Sequence, residues 1–332
     1  MALLRVYYLE GKRYKSCEPN IKNMTDFKGM DILNTKPLSK SEIERIMEVA
    51  DGVLAVARKE EESDLLKGKI LASLFYEPST RTRLSFETAM HRLGGDVITV
   101  VGTESSSLAK GETLSDTAKV VEKFADAIVV RHGKPGAVDE MARAADVPVI
   151  NAGDGDHEHP TQALLDLFTM IKERGIVDGL KIGVVGDLKY GRTVHSLVQL
   201  LAHYDVELIL VSPDQLKMPG EVVSELSEKG VKYTETEDLE DAVKVADVVY
   251  MTRIQQERFN DQNEFEKFKN VYVLTREMIE KHNAKMTIMH PLPRVGEISL
   301  NVDELEGAAY FRQVENGVAV RMAILALLLG KV

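Results

Sequence analysis

From about Phe27 onward the chain alternates short β-branched runs with stretches of helical periodicity, and this alternation constrains the fold more than any other feature. Strands are predicted at Ile70–Phe75, Val97–Val101, Ala127–Val130 and Val147–Ile150. A second series follows at Lys181–Val185, Glu207–Val211, Asp247–Met251 and Met286–Met289. Helical spacing of apolar residues fills the gaps, as at Leu114–Phe124, Thr161–Glu173, Val194–His203 and Leu239–Ala246. Strand, helix, strand in steady succession predicts an α/β fold of parallel sheets, each covered by helices on both faces. The two series are parted near Asn151–His159, where turn formers interrupt the pattern. Two sheets, and so two domains, suit a chain of 332 residues. An apolar helix over Gly317–Leu329 closes the chain, and its periodicity does not choose between the two halves.

The formal charge is −11. A surface of that sign repels nucleic acid and anionic lipid, so neither is an expected partner. Any anionic ligand must be met by a local cluster of cations. No segment approaches the ~20 apolar residues that cross a bilayer, and Met322–Leu329 is far too short. A single cysteine, Cys17, excludes an intramolecular disulfide framework and suits a reducing compartment. The first residues mix Arg5, Lys12, Arg13 and Lys15 with tyrosines and lack the apolar core of a secretory signal, so a cytoplasmic location is expected. Residues 1–25 read as an N-terminal extension without an assigned purpose.

The most informative stretch runs from Phe75 to Glu87 and contains Pro78-Ser79-Thr80-Arg81-Thr82-Arg83. A buried strand ends near Phe75, and Pro78 pushes its neighbour out of helical geometry. Ser79 or Thr80 can then cap a helix by accepting from first-turn amides. Phe86, Ala89, Met90 and Leu93 form its buried stripe, and Gly94-Gly95 ends it. Such a start gathers free N–H groups, the positive end of a helix dipole, three hydroxyls and the guanidiniums of Arg81 and Arg83. This is a phosphate cradle. Capping explains a serine or threonine; it does not explain two arginines at the positive end of a dipole.

Gly186-Asp187-Leu188-Lys189-Tyr190-Gly191-Arg192-Thr193 nearly matches a nucleotide phosphate loop, with Arg192 where a lysine belongs. The missing lysine, the acid Asp187 inside the loop and the lack of a clear magnesium-binding acid argue against a nucleoside triphosphatase. Gly183 and Gly186 do not give a dinucleotide fingerprint either. Arg192 still stands at a helix start at the mouth of a parallel sheet, as an anion ligand.

Further anchors follow other strands: Arg131-His132, His159-Pro160-Thr161-Gln162, Arg253-Ile254-Gln255 and His290-Pro291-Leu292-Pro293-Arg294. Singly, each reads as a packing or surface residue. Repeated past several C-terminal strand ends, they lie where an open parallel sheet forms its crevice.

Ser79-Thr80-Arg81-Thr82-Arg83, His159-Pro160-x-Gln162 and His290-Pro291-Leu292-Pro293, in that order, resemble the signatures of the transcarbamoylases, from about residue 27 to the C-terminus. Gly186–Ser196 and Met251–Gln255 are of the aspartate type, and the cysteine of an ornithine-type His-Cys-Leu-Pro segment is absent. Charge agrees independently, because Arg192 and Arg253 offer two forks for two carboxylates and would repel the cation of ornithine.

The resemblance implies transfer of the carbamoyl group of carbamoyl phosphate to the amine of L-aspartate, as in pyrimidine biosynthesis, without cofactor. It implies a carbamoyl phosphate-binding domain at 26–158 plus 311–332 and an aspartate-binding domain at 159–310, joined by interdomain helices. Ser79, Thr80, Arg81 and Thr82 would hold the phosphate. Thr82, Arg131 and His159 would surround the carbamoyl oxygen as catalytic residues. Gln162, with the carbonyls of Pro291 and Leu292, would orient the carbamoyl amide and the incoming amine. Arg192, Arg253 and Gln255 would take the aspartate carboxylates.

The loop Thr103–Glu112 reads by composition as a mobile surface loop. The resemblance implies that it enters a neighbouring subunit's site, with Lys110 and Ser106 (Ser107 being the alternative) on the phosphate and Lys110 also near aspartate. Sites would then be shared in a homotrimer, and regulatory chains are allowed as further partners. No metal-ligand spacing is present, since His157 and His159 lack partners. No side chain stands out as general base, which leaves the departing phosphate to accept the amine's proton. The rival readings are a transcarbamoylase for another acceptor, such as ornithine, and a non-catalytic homologue.

Overall fold

The computed structural model describes residues 26–104, 106–255 and 262–332. The extension 1–25, with Cys17, lies outside the described residues. Nine strands are described: β1 (Ile70–Phe75), β2 (Asp96–Val101), β3 (Ala127–His132), β4 (Val149–Asp154), β5 (Lys181–Val185), β6 (Glu207–Val211), β7 (Lys232–Thr236), β8 (Val248–Met251) and β9 (Thr287–Met289). The helices are α1 (Lys40–Gly52), α2 (Leu54–Ala57), α3 (Thr80–Arg92), α4 (Leu114–Val121), α5 (Ala137–Ala144), α6 (Pro160–Arg174) and α7 (Arg192–Leu201). They continue as α8 (Gly220–Glu228), α9 (Leu239–Val245), α10 (Gln262–Phe268), α11 (Arg276–His282) and α12 (Tyr310–Leu328).

The strands form two sheets, in the orders β2-β1-β3-β4 and β7-β6-β5-β8-β9. Every strand pair is parallel. The expected α/β architecture of two helix-flanked parallel sheets is therefore present. Seven strands match the sequence reading to within two residues at either end; β4 shares only Val149 and Ile150 with its predicted span and runs on to Asp154, and β7 does not appear in the reading. Its residues, Lys-Tyr-Thr-Glu-Thr, lie on an edge and are largely exposed, so no apolar signal marks them.

The central strands are buried on both faces because helices cover each side, which is why they read as continuous apolar runs. The long closing helix is wider than predicted, starting at Tyr310. It packs against α1, α3 and α6, and with α6 it lies in one apolar core that reaches both sheets. Both sheets turn their C-terminal strand ends toward a common cleft. In each order, neighbours diverge at one place, β1/β3 in the first sheet and β5/β8 in the second, and a crevice opens at such points.

Candidate active site

The cleft encloses about 690 Å³ and is lined from both sheets and from α12. Its four main cations follow the four strands that flank the two crevices. Arg81 lies beyond β1, Arg131 is the next-to-last residue of β3, Arg192 lies beyond β5 and Arg253 lies beyond β8. Guanidiniums far apart in sequence are thus brought to one space.

At the first crevice, Ser79 occupies the N-cap of α3 in extended backbone (φ −160°, ψ 102°), yet its side chain makes no capping bond. The expected hydroxyl cap is absent, and no acidic residue stands in the first turn. Ser79, Thr80 and Thr82 line the cleft, so the first turn offers its hydroxyls outward at the positive end of the helix. Arg81 donates from Nη2 to the Leu292 carbonyl at 2.8 Å. Desolvation, and then the Arg253 charge, pull its pKa below the ordinary value. Arg83 departs from the prediction: it faces away from the cleft and lies 3.8 Å from Glu87, one helical turn on. Of the two arginines, only Arg81 lines the cleft.

Arg131 is buried and donates to Glu77 Oε1 at 3.1 Å and to the Ala152 carbonyl at 3.2 Å. Desolvation and the Arg192 charge push its pKa down to about 10, against the opposing pull of Glu77. Its Nε has no hydrogen-bond partner among the described residues. Gly153 explains the close approach of Arg131 and Arg192. Its φ is +116°, and a Cβ there would lie 3.0 Å from Arg131 Nη1 and 3.2 Å from Arg192 Cζ.

His159 is the N-cap of α6, with Pro160 fixing the first helical position. Its backbone N–H donates to Ser196 Oγ at 3.1 Å, and its Nδ1 has no partner among the described residues. Burial, then the charges of Arg192, Arg131 and Arg321, hold its pKa well below the usual imidazole value. The ring is neutral at physiological pH, so it can offer one N–H without bringing a charge. One turn along, Gln162 donates from Nε2 to Asp166 Oδ1 at 2.8 Å.

At the second crevice Arg192 opens α7. It donates to the Gly155 carbonyl and lies 3.4 Å from Glu77 Oε1 and Oε2. Gln255 donates to the Tyr190 carbonyl at 3.2 Å, and Arg253 and Gln255 both line the cleft. Pro291 and Leu292 close it from beyond β9. Leu292 has φ +53°, unusual for its residue type, and its N–H donates to His290 Nδ1 at 2.8 Å. The other ring nitrogen of His290 is 2.6 Å from Glu297 Oε1. His290 is thereby a strut beneath the loop.

Ser106 and Lys110 do not enter this cleft within their own chain. Lys110 ends an exposed 3-10 turn, and Ser106 donates to the Thr103 carbonyl at 2.8 Å. Sequence reasoning missed Glu77, which bridges Arg131 and Arg192, and Arg321 on α12. Arg321 is buried, donates to Ser85 Oγ at 2.9 Å and sits 5.1 Å above the Phe86 ring. A charged residue in a run as apolar as Val318–Leu329 was the available signal. Among the described residues no cluster of three His, Cys, Asp or Glu is arranged to hold a metal. Likewise, no described helix is long and apolar enough to cross a membrane.

Parallel sheets that open into a shared, arginine-rich cleft define a class of two-domain anion-handling α/β protein. Two family models divide the chain along the same lines. "Aspartate/ornithine carbamoyltransferase, carbamoyl-P binding domain" matches residues 30–172, and "Aspartate/ornithine carbamoyltransferase, Asp/Orn binding domain" matches 178–328. The chain is 53% identical over 305 residues to an aspartate carbamoyltransferase catalytic subunit of Thermococcus kodakarensis, covering 92% of this chain and 98% of that one. Among solved structures it is similar to the catalytic subunit of M. jannaschii aspartate transcarbamoylase. The TM-score is 0.85 at 51% identity, over 90% of this chain and 98% of that one. It is also similar to the Trypanosoma cruzi aspartate transcarbamoylase in complex with N-(phosphonacetyl)-L-aspartic acid, with TM-score 0.86 at 40% identity, over 91% and 97%. The chain belongs to the aspartate/ornithine carbamoyltransferase family.

Proposed function

We propose that this chain transfers the carbamoyl group of carbamoyl phosphate to the amine of L-aspartate, giving N-carbamoyl-L-aspartate and phosphate. One observation carries the reading: the cleft lining holds five guanidiniums against the single carboxylate of Glu77, an excess of four positive charges inside a protein of net charge −11. Carbamoyl phosphate and aspartate together bring about four negative charges once the aspartate amine is neutral and ready to attack. Either set alone is costly to desolvate, and each compensates the other. Ornithine would place a cation among these guanidiniums.

In this reading Ser79, Thr80, Arg81 and Thr82 bind the phosphate. Thr82, Arg131 and neutral His159 converge on the carbamoyl oxygen, where negative charge grows as the amine attacks the carbon. Gln162 and the carbonyls of Pro291 and Leu292 orient the carbamoyl amide. Arg192, Arg253 and Gln255 hold the two carboxylates. The amine nitrogen forms a bond to the carbamoyl carbon, the bond from that carbon to the phosphate oxygen breaks, and the leaving phosphate takes the amine's proton. Residues 26–158 with 311–332 form the carbamoyl phosphate side and 159–310 the aspartate side. Pyrimidine biosynthesis in the cytoplasm is the setting this chemistry fits.

The working unit is a homotrimer with shared sites. This is supported by the position of Ser106 and Lys110, outside their own cleft, at the end of an edge strand. Ile98 and Val101 on that edge strand, and Leu84 on α3 packed against it, are exposed apolar side chains suited to a neighbouring copy.

Turnover of carbamoyl phosphate with aspartate, but not with ornithine, tests the reaction. Mixing tests the assembly. Arg81→Ala and Lys110→Ala proteins, each strongly impaired, regain part of the activity when dissociated and reassociated together, because hybrid trimers contain one site with neither change. A mixture that stays as impaired contradicts shared sites.

A further inference from the structure

Beneath the cleft lies a buried acid that the mechanism above does not use. Asp166, on α6, is fully buried. Three donors from three elements converge on it. Gln162 Nε2 reaches Oδ1 at 2.8 Å, Gln313 Nε2 of α12 reaches Oδ1 at 2.6 Å, and Tyr250 Oη of β8 reaches Oδ2 at 2.7 Å. The orientation of Gln313 is fixed a second time, since its Oε1 accepts from the His290 backbone N–H at 3.0 Å. Both glutamines turn their NH₂ toward Asp166, the orientation that a carboxylate, which only accepts hydrogen bonds when ionised, selects. For Gln162, which lines the cleft, this turns the NH₂ away and leaves the amide oxygen as its free acceptor.

We propose that Asp166 sets the cleft's preference for an acyl phosphate bearing N–H groups, by holding the Gln162 amide with its oxygen toward the ligand. The proposal rests on the transcarbamoylase reading of this cleft and assigns a specificity-determining, positioning role to a residue that does not itself touch substrate. A carbamoyl NH₂ offers donors that an oriented Gln162 oxygen accepts. A methyl in the same place offers none and leaves that oxygen unpaired. With the amide reversed, the Gln162 NH₂ would face the carbamoyl NH₂, donor against donor. The environment agrees: burial pushes the Asp166 pKa up to about 7, while Tyr250, Gln313, Gln162 and the Arg321 charge all favour the ionised form.

Acetyl phosphate is the probe, since it has the shape of carbamoyl phosphate with a methyl for the NH₂. The quantity read is its inhibition constant, measured against carbamoyl phosphate, divided by the KM of carbamoyl phosphate. Asp166→Asn keeps the volume but offers both a donor and an acceptor, so Gln162 is no longer held one way round. The ratio is expected to fall about fivefold in Asp166→Asn and about tenfold or more in Asp166→Ala. It should fall no further when Asp166→Asn is added to Gln162→Ala. A fall of less than threefold in Asp166→Asn, or a full additional fall in the Gln162→Ala background, overturns the proposal. A merely structural role lowers kcat without moving the ratio. If the unaltered protein does not carbamoylate aspartate, the reading of the cleft fails instead, and the two failures are distinct.

Discussion

The turns β1→α3 and β5→α7 occupy equivalent places in their sheets. Each follows a buried parallel strand at a crevice, opens a helix and sets an arginine in its first turn, yet their polar groups are arranged differently. In the first, the N-cap hydroxyl is not spent on its own helix, the turn's one acid, Glu77, is engaged by Arg131 and Arg192, and Arg81 reaches across to the Leu292 carbonyl. In the second, Asp187 sits buried inside the turn and accepts from the Tyr190 N–H at 2.9 Å, while Glu77 partly neutralises Arg192. A phosphate entering the second turn would meet a carboxylate already holding one of its amides. A helix start is therefore not an anion site by virtue of its dipole alone. What decides is whether the turn has already used its own donors, and only β1→α3 has kept them.

Removing each arginine gives the largest effect and sharpens the contrast. Arg81→Ala should lower kcat/KM by about 10²–10³ and weaken carbamoyl phosphate binding measured by calorimetry without aspartate. Arg192→Ala should raise the KM for aspartate by about 10- to 100-fold and leave carbamoyl phosphate affinity within a few-fold. Equal loss of carbamoyl phosphate affinity in both variants would mean that the second turn is a phosphate site after all.

A second pair of substitutions separates a helix start that stabilises from one that binds. Ser39 heads α1 in a complete capping box, accepting from the Glu42 N–H while Glu42 reaches back to the Ser39 N–H. Ser39→Ala should cost about 1 kcal/mol of stability and leave turnover unchanged. Ser79→Ala removes no cap, so thermal melting should move little, while carbamoyl phosphate affinity drops about tenfold. The reverse pattern, a large melting shift with unchanged affinity, would make Ser79 an ordinary cap.

The same contrast explains what could be read from the residues. Strands buried on both faces announce themselves as apolar runs, so β1, β5 and β6 match the sequence reading to the residue; β7, an exposed edge with polar alternation, carries no such signal. Arg81, Arg131, Arg192 and Arg253 were legible because each follows a strand end, a position with one consequence in a parallel sheet. Glu77 and Arg321 were not, because their roles depend on contacts made at long range. Glu77 looks like a loop acid until Arg131 and Arg192 close on it, and Arg321 looks like a helix charge until Ser85 and Phe86 surround it. Arg83 shows the converse error, since local sequence groups it with Arg81 while helical rotation turns it to Glu87.

The smallest effect concerns a third helix start, that of α6, where the cap position is held by an imidazole rather than a hydroxyl. His159 is buried, and that burial together with Arg192, Arg131 and Arg321 keeps it neutral when folded. The unfolded chain protonates this ring near pH 6.5, so below that pH the unfolded state binds a proton that the folded state refuses. The stability concerned is present above about pH 6.5 and is lost as the pH falls, by about 1 kcal/mol at pH 5.5. Replacing the ring removes this linkage. The difference in melting temperature between pH 7.5 and 5.5 should be narrower in His159→Asn than in the parent by about 1–2 °C. The variant's kcat should fall while its pH profile between 6 and 8 keeps its shape, because a ring that is neutral throughout contributes no limb. If the parent instead shows an acid limb near pH 6.5 that His159→Asn abolishes, the ring titrates in the working range. The α6 start would then be a proton-handling site, and no longer a neutral donor beside the cradle.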